Sequence, residues 1–294
     1  MDRTFLVAGG DLRMKYAAGR LAEDSSNSVY LTGNIFNSEL PDRVKYTDDF
    51  SGTGTSFDYL VLPAPSTVDG ETVNAPFSEN KIFLSGFLSL MKRKGIVFGG
   101  MINETVEKIF LPSDIEIYDY LKCEEFSIRN AVPTAEGAVQ IAMEELSSVL
   151  YGKEILITGY GRIARVLSKI LCAMGCSVTV SARKKSDIVW ASVYGCRGVT
   201  IADAMWHPES YDVIFNTVPA VIIGKETLFR IKKNCLIIEL ASSPGGIDLS
   251  YASEYGHKII RASGLPGKKS PETAGCIIAD TVMDYISERS MLYE

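Results

Sequence analysis

Residues 154–158 (EILIT) form an apolar run, and Gly159-Tyr160-Gly161-Arg162-Ile163-Ala164 follows at once, ahead of a stretch that reads as a helix to about residue 174. A strand, a glycine pair and a helix in direct succession leave few choices of fold. The first glycine suits a tight turn. The second lets main-chain N–H groups approach a pyrophosphate, and the small Ala164 lets helix and strand pack closely. The helix N-terminus adds a partial positive charge. G-x-G-x-x-A alone is a weak signal, but the strand–turn–helix context assigns Gly159, Tyr160, Gly161, Arg162 and Ile163 to a dinucleotide.

The next expected strand, 177–181, runs into Ser181-Ala182-Arg183-Lys184-Lys185. NAD enzymes usually place Asp or Glu about here for the ribose 2′-hydroxyl. A cationic cluster neutralises a 2′-phosphate, which a carboxylate would repel. The residues therefore favour NADP, with NAD as the alternative, and Ser181, Ala182, Arg183 and Lys184 join the cofactor set. Strand 212–216 ends in Asn216-Thr217-Val218-Pro219, placed to line the riboses. Strand 235–239 leads to Leu240-Ala241-Ser242, where Ala241 and Ser242 offer backbone and hydroxyl groups near a nicotinamide.

A similar alternation fills the first 125 residues. Strands are expected at 4–8, 28–32, 57–62, 95–99 and 114–118, helices at 12–22 and 81–93, and a polar surface loop at 66–80. The 294 residues suggest two domains. The expected class is α/β: two Rossmann-like, doubly wound parallel-sheet domains joined by an interdomain helix. The expected boundaries are 1–130 for a substrate domain, 131–150 for the helix, and 151–294 for the NAD(P) domain. The helix opens at Pro133-Thr134 and runs to about Leu150. A last helix, 273–289, is expected to pack back on the first domain.

Substrate candidates follow from charge. Gly9-Gly10-Asp11-Leu12-Arg13 sits at a strand–helix turn but lacks the spacing for a second dinucleotide. Asp11 suits a helix N-cap, and the Arg13 guanidinium can grip a carboxylate with two bonds. Thr134 and Glu136 stand at the expected start of the interdomain helix, where an anion could dock; Glu136 either accepts a proton or complements the helix dipole. Lys268 and Lys269 precede the last helix and can meet a carboxylate. His207 and His257 lie in polar surroundings and read as surface residues, so no histidine base is evident.

Composition excludes other classes. With 30 basic and 36 acidic residues the net charge is −6, which argues against a nucleic-acid binder. No run is long enough for a membrane span, and the five apolar positions near the N-terminus are too few for a secretory signal. Six scattered cysteines without a Cys-x-x-Cys pair read as reduced, buried thiols of a cytoplasmic protein, and no metal site is expected.

Taken together, GGDLR, FDYLVLPAP, PFSENKIFL, IEIYDYL, VPTAEGAVQIAMEE, GYGRIARVLSKILCAMGCSVTVSAR, FNTVPAVI, LASSPGGID and GLPGKKSPETAGCIIADTV resemble the A subunit family of bacterial dipicolinate synthase over nearly the whole chain. The resemblance implies a two-domain fold with a C-terminal NAD(P) domain. It also implies a dehydrogenase that oxidises dihydrodipicolinate, formed from 4-hydroxy-tetrahydrodipicolinate, to dipicolinate in the mother cell of a sporulating bacterium. The implied partners are further copies of the chain, in a homo-oligomer, together with a flavoprotein B subunit. The product's aromaticity supplies driving force, so positioning and charge matching by Asp11, Arg13, Thr134 and Lys268 matter most. In the family the loop before the last helix commonly reads LPGIVAPKTAG; here it is LPGKKSPETAG, with Glu272 in place of the lysine. Two other readings stay open: a non-catalytic NAD(P)-binding protein that organises the flavoprotein, and a relative of 2-hydroxyacid dehydrogenases.

Overall fold

The computed structural model describes residues 2–33, 39–48 and 54–292. The chain divides into two units: residues 1–130 with 270–294, and residues 131–269. Each unit is built on a six-stranded parallel sheet.

In the first unit the elements run β1 (Arg3–Ala8), α1 (Leu12–Ala22), β2 (Asn27–Thr32), β3 (Val44–Tyr46), β4 (Phe57–Val61), β5 (Met91–Gly99), α2 (Glu104–Phe110) and β6 (Glu116–Asp119). The sheet order is β3-β2-β1-β4-β5-β6. Phe5 to Ala8 are fully buried, as are Leu60, Val61, Val97 and Phe98. Strands buried on both faces read as continuous apolar runs, which is why they are legible in the sequence. Next comes α3 (Glu124–Glu145), and the division between the units falls inside it.

The second unit continues with β7 (Glu154–Thr158), α4 (Arg162–Ala173), β8 (Ser177–Ala182), α5 (Lys185–Val193), β9 (Arg197–Thr200), α6 (Ile201–Ala204), β10 (Val213–Asn216), α7 (Lys225–Arg230), β11 (Leu236–Glu239), α8 (Leu249–Glu254), β12 (Ile259–Arg261) and α9 (Leu265–Lys269). Its sheet order, β12-β11-β10-β7-β8-β9, is the same winding as in the first unit. Both sheets reverse direction beside their first strand, between β1 and β4 and between β7 and β10. Ligands of open α/β sheets bind at the carboxyl ends of strands at such a switch point. The chain ends in α10 (Pro271–Leu292), which belongs to the first unit. There Asp280 pairs with Arg20 of α1 at 2.9 Å, and Tyr285 and Arg289 both engage Glu116.

Several expectations are corrected. The helix expected to open at Pro133 starts at Glu124, so Pro133, Thr134 and Glu136 lie well inside it. Its first turn is acidic, with Glu124 and Glu125 complementing the dipole. Pro133 has no N–H to donate, which makes it resemble a helix start. The helix ends at Glu145 rather than near Leu150. Residues 81–93 form no α-helix: Ile82 O accepts from Val73 N at 2.9 Å and Leu84 N donates to Glu71 O, leaving one 3-10 turn, Leu84–Ser89, before β5. Residues 66–80 are partly inside, with Ser66, Thr67 and Val73 buried. Asn74 O from this segment accepts the Gly10 N–H at 2.7 Å. The loop holding Lys268 is the short helix α9. His257 is buried rather than superficial, with Nε2 2.7 Å from Leu228 O. All six cysteines are free, but only Cys196 and Cys235 are buried; Cys123, Cys172, Cys176 and Cys276 are partly exposed.

Candidate functional site

The glycine turn of the second unit is shaped by what each position can tolerate. Gly159 has φ +85°, and a Cβ there would stand 2.7 Å from Thr217 Oγ1. Its N–H donates to Ser181 O at 2.7 Å, joining the ends of β7 and β8. Gly161 has ordinary backbone and open space where a Cβ would project. It is also the N-cap of α4, with no side chain capping the helix. With no side chain capping α4, the open space at Gly161 lets an anion approach the helix N-terminus. Ala164 is fully buried against the sheet.

The expected neighbours divide by exposure. Tyr160 is buried in the core, and Arg165 lies over its ring at 5.3 Å. Only the backbone of Tyr160 serves the turn. Arg162 is exposed and Ile163 half-buried. Ser181 Oγ is buried with no hydrogen-bond partner among the described residues, and Ala182 is buried beside it. Arg183 and Lys184 are exposed at the end of β8. The nearby acid, Asp187, is turned to Arg165 at 3.7 Å. An uncapped helix start, a slot free of side chain and two exposed cations at the second strand fit a dinucleotide.

A buried polar network underlies the neighbouring strand ends. Asn216 is fully buried, and its amide donates to Val218 O at 2.9 Å and to Glu239 Oε1 at 2.6 Å. The Thr158 hydroxyl donates to Asn216 Oδ1, and the Thr217 hydroxyl donates to Thr158 O at 2.6 Å. Glu239 also accepts from Ala241 N at 3.1 Å and Gly246 N at 2.8 Å. Asn216, Thr217, Val218 and Ala241 are thus brought together, while Pro219 and Ser242 are exposed. Sequence reasoning misses Glu239 as a member of this network. Its one sequence signal is an acid closing the apolar run of β11.

In the first unit, Asp11 caps α1, accepting from Arg13 N at 3.1 Å and Arg13 Nε at 2.8 Å. Arg13 Nη2 donates to Ala64 O at 3.1 Å, beyond the end of β4. Burial opposes the guanidinium's charge, but the hydrogen bond to Asp11 and the charge of Asp11 together outweigh it, and the pKa is raised. Asp11 and Arg13 therefore meet at the β1/β4 switch point. Asp11 is spent on the cap and on aiming Arg13. Thr134 is buried and Glu136 exposed, both in the middle of α3, so neither has a helix N-terminus behind it. Lys268 is exposed on α9, and Lys269 pairs with Glu144 at 3.3 Å. His207 is exposed beside Glu209 at 3.0 Å, and neither histidine reaches the glycine turn.

Comparison with known proteins decides the relationship. Residues 4–121 match the family model for the N-terminal domain of the dipicolinate synthase A subunit. Over 284 residues the chain is 27% identical to the dipicolinate synthase A subunit of Bacillus subtilis (strain 168), covering 96% of this chain and 95% of that one. The chain is a relative of the dipicolinate synthase A subunit. Crystal structures of that protein superpose with it. The one from Bacillus halodurans does so with TM-score 0.86 and 25% identity, covering 97% of this chain and 98% of the other. The one from Bacillus subtilis gives TM-score 0.86 and 26% identity, covering 98% and 97%. A transhydrogenase from Sinorhizobium meliloti, 14% identical with TM-score 0.74 over 98% and 94% of the chains, shares the fold.

Residues 128–244 match the NAD-binding domain of D-isomer specific 2-hydroxyacid dehydrogenases. This range spans the glycine turn and the Arg183–Lys184 pair. The second unit is therefore a dehydrogenase-type NAD-binding domain, the equipment of an oxidoreductase, in a chain related to the dipicolinate synthase A subunit. Among the described residues, no helix is long and apolar enough to cross a membrane.

Proposed function

We propose that this chain is the NADP-dependent dehydrogenase subunit of a dipicolinate synthase, oxidising dihydrodipicolinate to dipicolinate for sporulation. The carrying observation is that one chain joins a dipicolinate-synthase-type N-terminal domain to a dehydrogenase turn, with Arg183 and Lys184 exposed at the end of β8. The reaction belongs to the oxidoreductases that act on ring CH–CH bonds.

A bound nicotinamide would supply the acceptor for the hydride that the ring gives up, with a proton also lost from the substrate. The chain's own residues bind and orient. The N-terminus of α4 would hold the pyrophosphate, and Arg183 with Lys184 would hold the 2′-phosphate, selecting NADP over NAD. Arg13, aimed by Asp11, grips one substrate carboxylate with the N–H bonds it has left. Thr134 and Lys268 serve the other carboxylate. Glu136, exposed on α3, is the proton acceptor of this reading. Aromatisation supplies much of the driving force, so positioning outweighs base strength. The protein works in the cytoplasm of the mother cell as a homo-oligomer with a flavoprotein B subunit.

The test is NADPH formation from the hydroxylated tetrahydro precursor and NADP, with the chain alone and with its partner. Formation by the chain alone supports the reading. Formation of dipicolinate only with the flavoprotein, whether or not NADP is supplied, supports the other reading, an organising protein without chemistry of its own. The placement of His207 beside Glu209 and of His257 beside Leu228 O, both spent away from the turn, favours that second reading.

A further inference from the structure

Glu239 is 5% exposed at the end of β11 and has no lysine or arginine within ion-pair distance among the described residues. A buried carboxylate without a counter-ion is costly unless donors surround it. Here three do: Asn216 Nδ2 at 2.6 Å, Ala241 N at 3.1 Å and Gly246 N at 2.8 Å. The two amides lie on the loop after β11, and Asn216 lies at the end of β10. The loop also closes tightly on the carboxylate. A Cβ at Gly245, which has φ +89°, would stand 3.0 Å from Glu239 Oε2. Asn216 in turn holds Val218 O and accepts the Thr158 hydroxyl beside the glycine turn. One carboxylate thus ties together the ends of β7, β10 and β11.

We infer that Glu239 is a positioning residue for the nicotinamide half of the cofactor: its charge sets the loop 241–246 against Asn216, while the adenosine half depends on other residues. The inference rests on the dinucleotide reading of the second unit. It separates the cofactor into two halves because the turn at Gly159–Gly161 and the cations Arg183 and Lys184 make no bond to Glu239. A neutral amide cannot replace the carboxylate. Whichever end of a glutamine carries the NH2 faces either the Gly246 N–H or the Asn216 and Ala241 N–H groups, donor against donor.

The experiment compares wild type with E239Q in the full chain, using NADP and 2′,5′-ADP, which lacks the nicotinamide half, as probes. Dissociation constants are read by calorimetry, and amide exchange of residues 241–246 is followed without cofactor. The expected result is about a tenfold weaker NADP affinity, an unchanged 2′,5′-ADP affinity and faster exchange confined to that loop. Equal affinities and exchange in the two proteins overturn the role of Glu239. A parallel loss of both probes also overturns it, since that marks general loosening. Should E239Q fail to fold, E239D carries the same comparison, because it keeps the charge and retracts it by one methylene. A wild type that binds neither NADP nor NAD overturns the dinucleotide reading itself.

Discussion

Asp11 Oδ1 holds Arg13 twice, accepting its main-chain N–H at 3.1 Å and its Nε–H at 2.8 Å. One carboxylate therefore caps α1 and orients the guanidinium that also reaches Ala64 O at 3.1 Å. Two substitutions separate these duties. Arg13→Ala should raise the KM for the dicarboxylate substrate about 10–100-fold, the worth of a charge-assisted bond pair, and leave NADP affinity unchanged. Asp11→Ala should do the same and also lose the cap, about 1 kcal/mol of stability, read as a lower midpoint in urea.

Arg183→Glu places a carboxylate where the 2′-phosphate is proposed to sit. NADP affinity should fall about tenfold or more, while NAD affinity falls less or rises. Calorimetric titration of both dinucleotides checks this, and an equal effect on the two would remove Arg183 from the cofactor site.

The two glycines of the turn should respond differently to alanine. At Gly159 the positive φ and the 2.7 Å approach to Thr217 Oγ1 leave no room. Gly159→Ala should cost about 2 kcal/mol or more, visible as a fall in Tm without ligand. At Gly161 the space is open. Gly161→Ala should leave Tm unchanged and weaken NADP, because the methyl enters only the path of the pyrophosphate.

Asp58 connects pH to stability. Burial would raise its carboxyl, but Lys92 at 2.8 Å and the Thr4 hydroxyl at 2.7 Å bond the charged form and hold it below the usual carboxylate value. A depressed pKa gives stability that is present above the unfolded value, near 4, and is lost as pH falls through the folded one. The stability gap between wild type and Asp58→Asn, from urea midpoints, should be constant at about pH 5 to 7 and shrink below about pH 4. A gap that grows on acidification would refute the assignment.

Strands such as β1, β7 and β10 are legible in the sequence because both faces are buried and the runs are continuously apolar. The glycine turn is legible because its chemistry is local: strand, Gly159, Gly161, Ala164 and helix lie within eleven residues. The start of α3 is not. Pro133 and Thr134 look like an N-terminus, but the preceding EEFSIRNAV is itself helical and α3 runs straight through the proline. Residues 81–84 mislead for a different reason. Their partners, Glu71 and Val73, lie about ten residues back, and local periodicity carries no trace of that pairing.

By itself the sequence determined the alternation of strands and helices, the glycine turn after β7 and the cationic end of β8, all properties of neighbours along the chain. Only the tertiary structure decided that Asp11 bonds the Arg13 guanidinium, that His257 faces Leu228 O inside the fold, and that Glu239 collects donors from residues 216, 241 and 246. Those assignments depend on which polar atoms are shut away from water together. A buried donor or acceptor takes the partner that packing brings to it, and packing joins residues that are far apart in the chain.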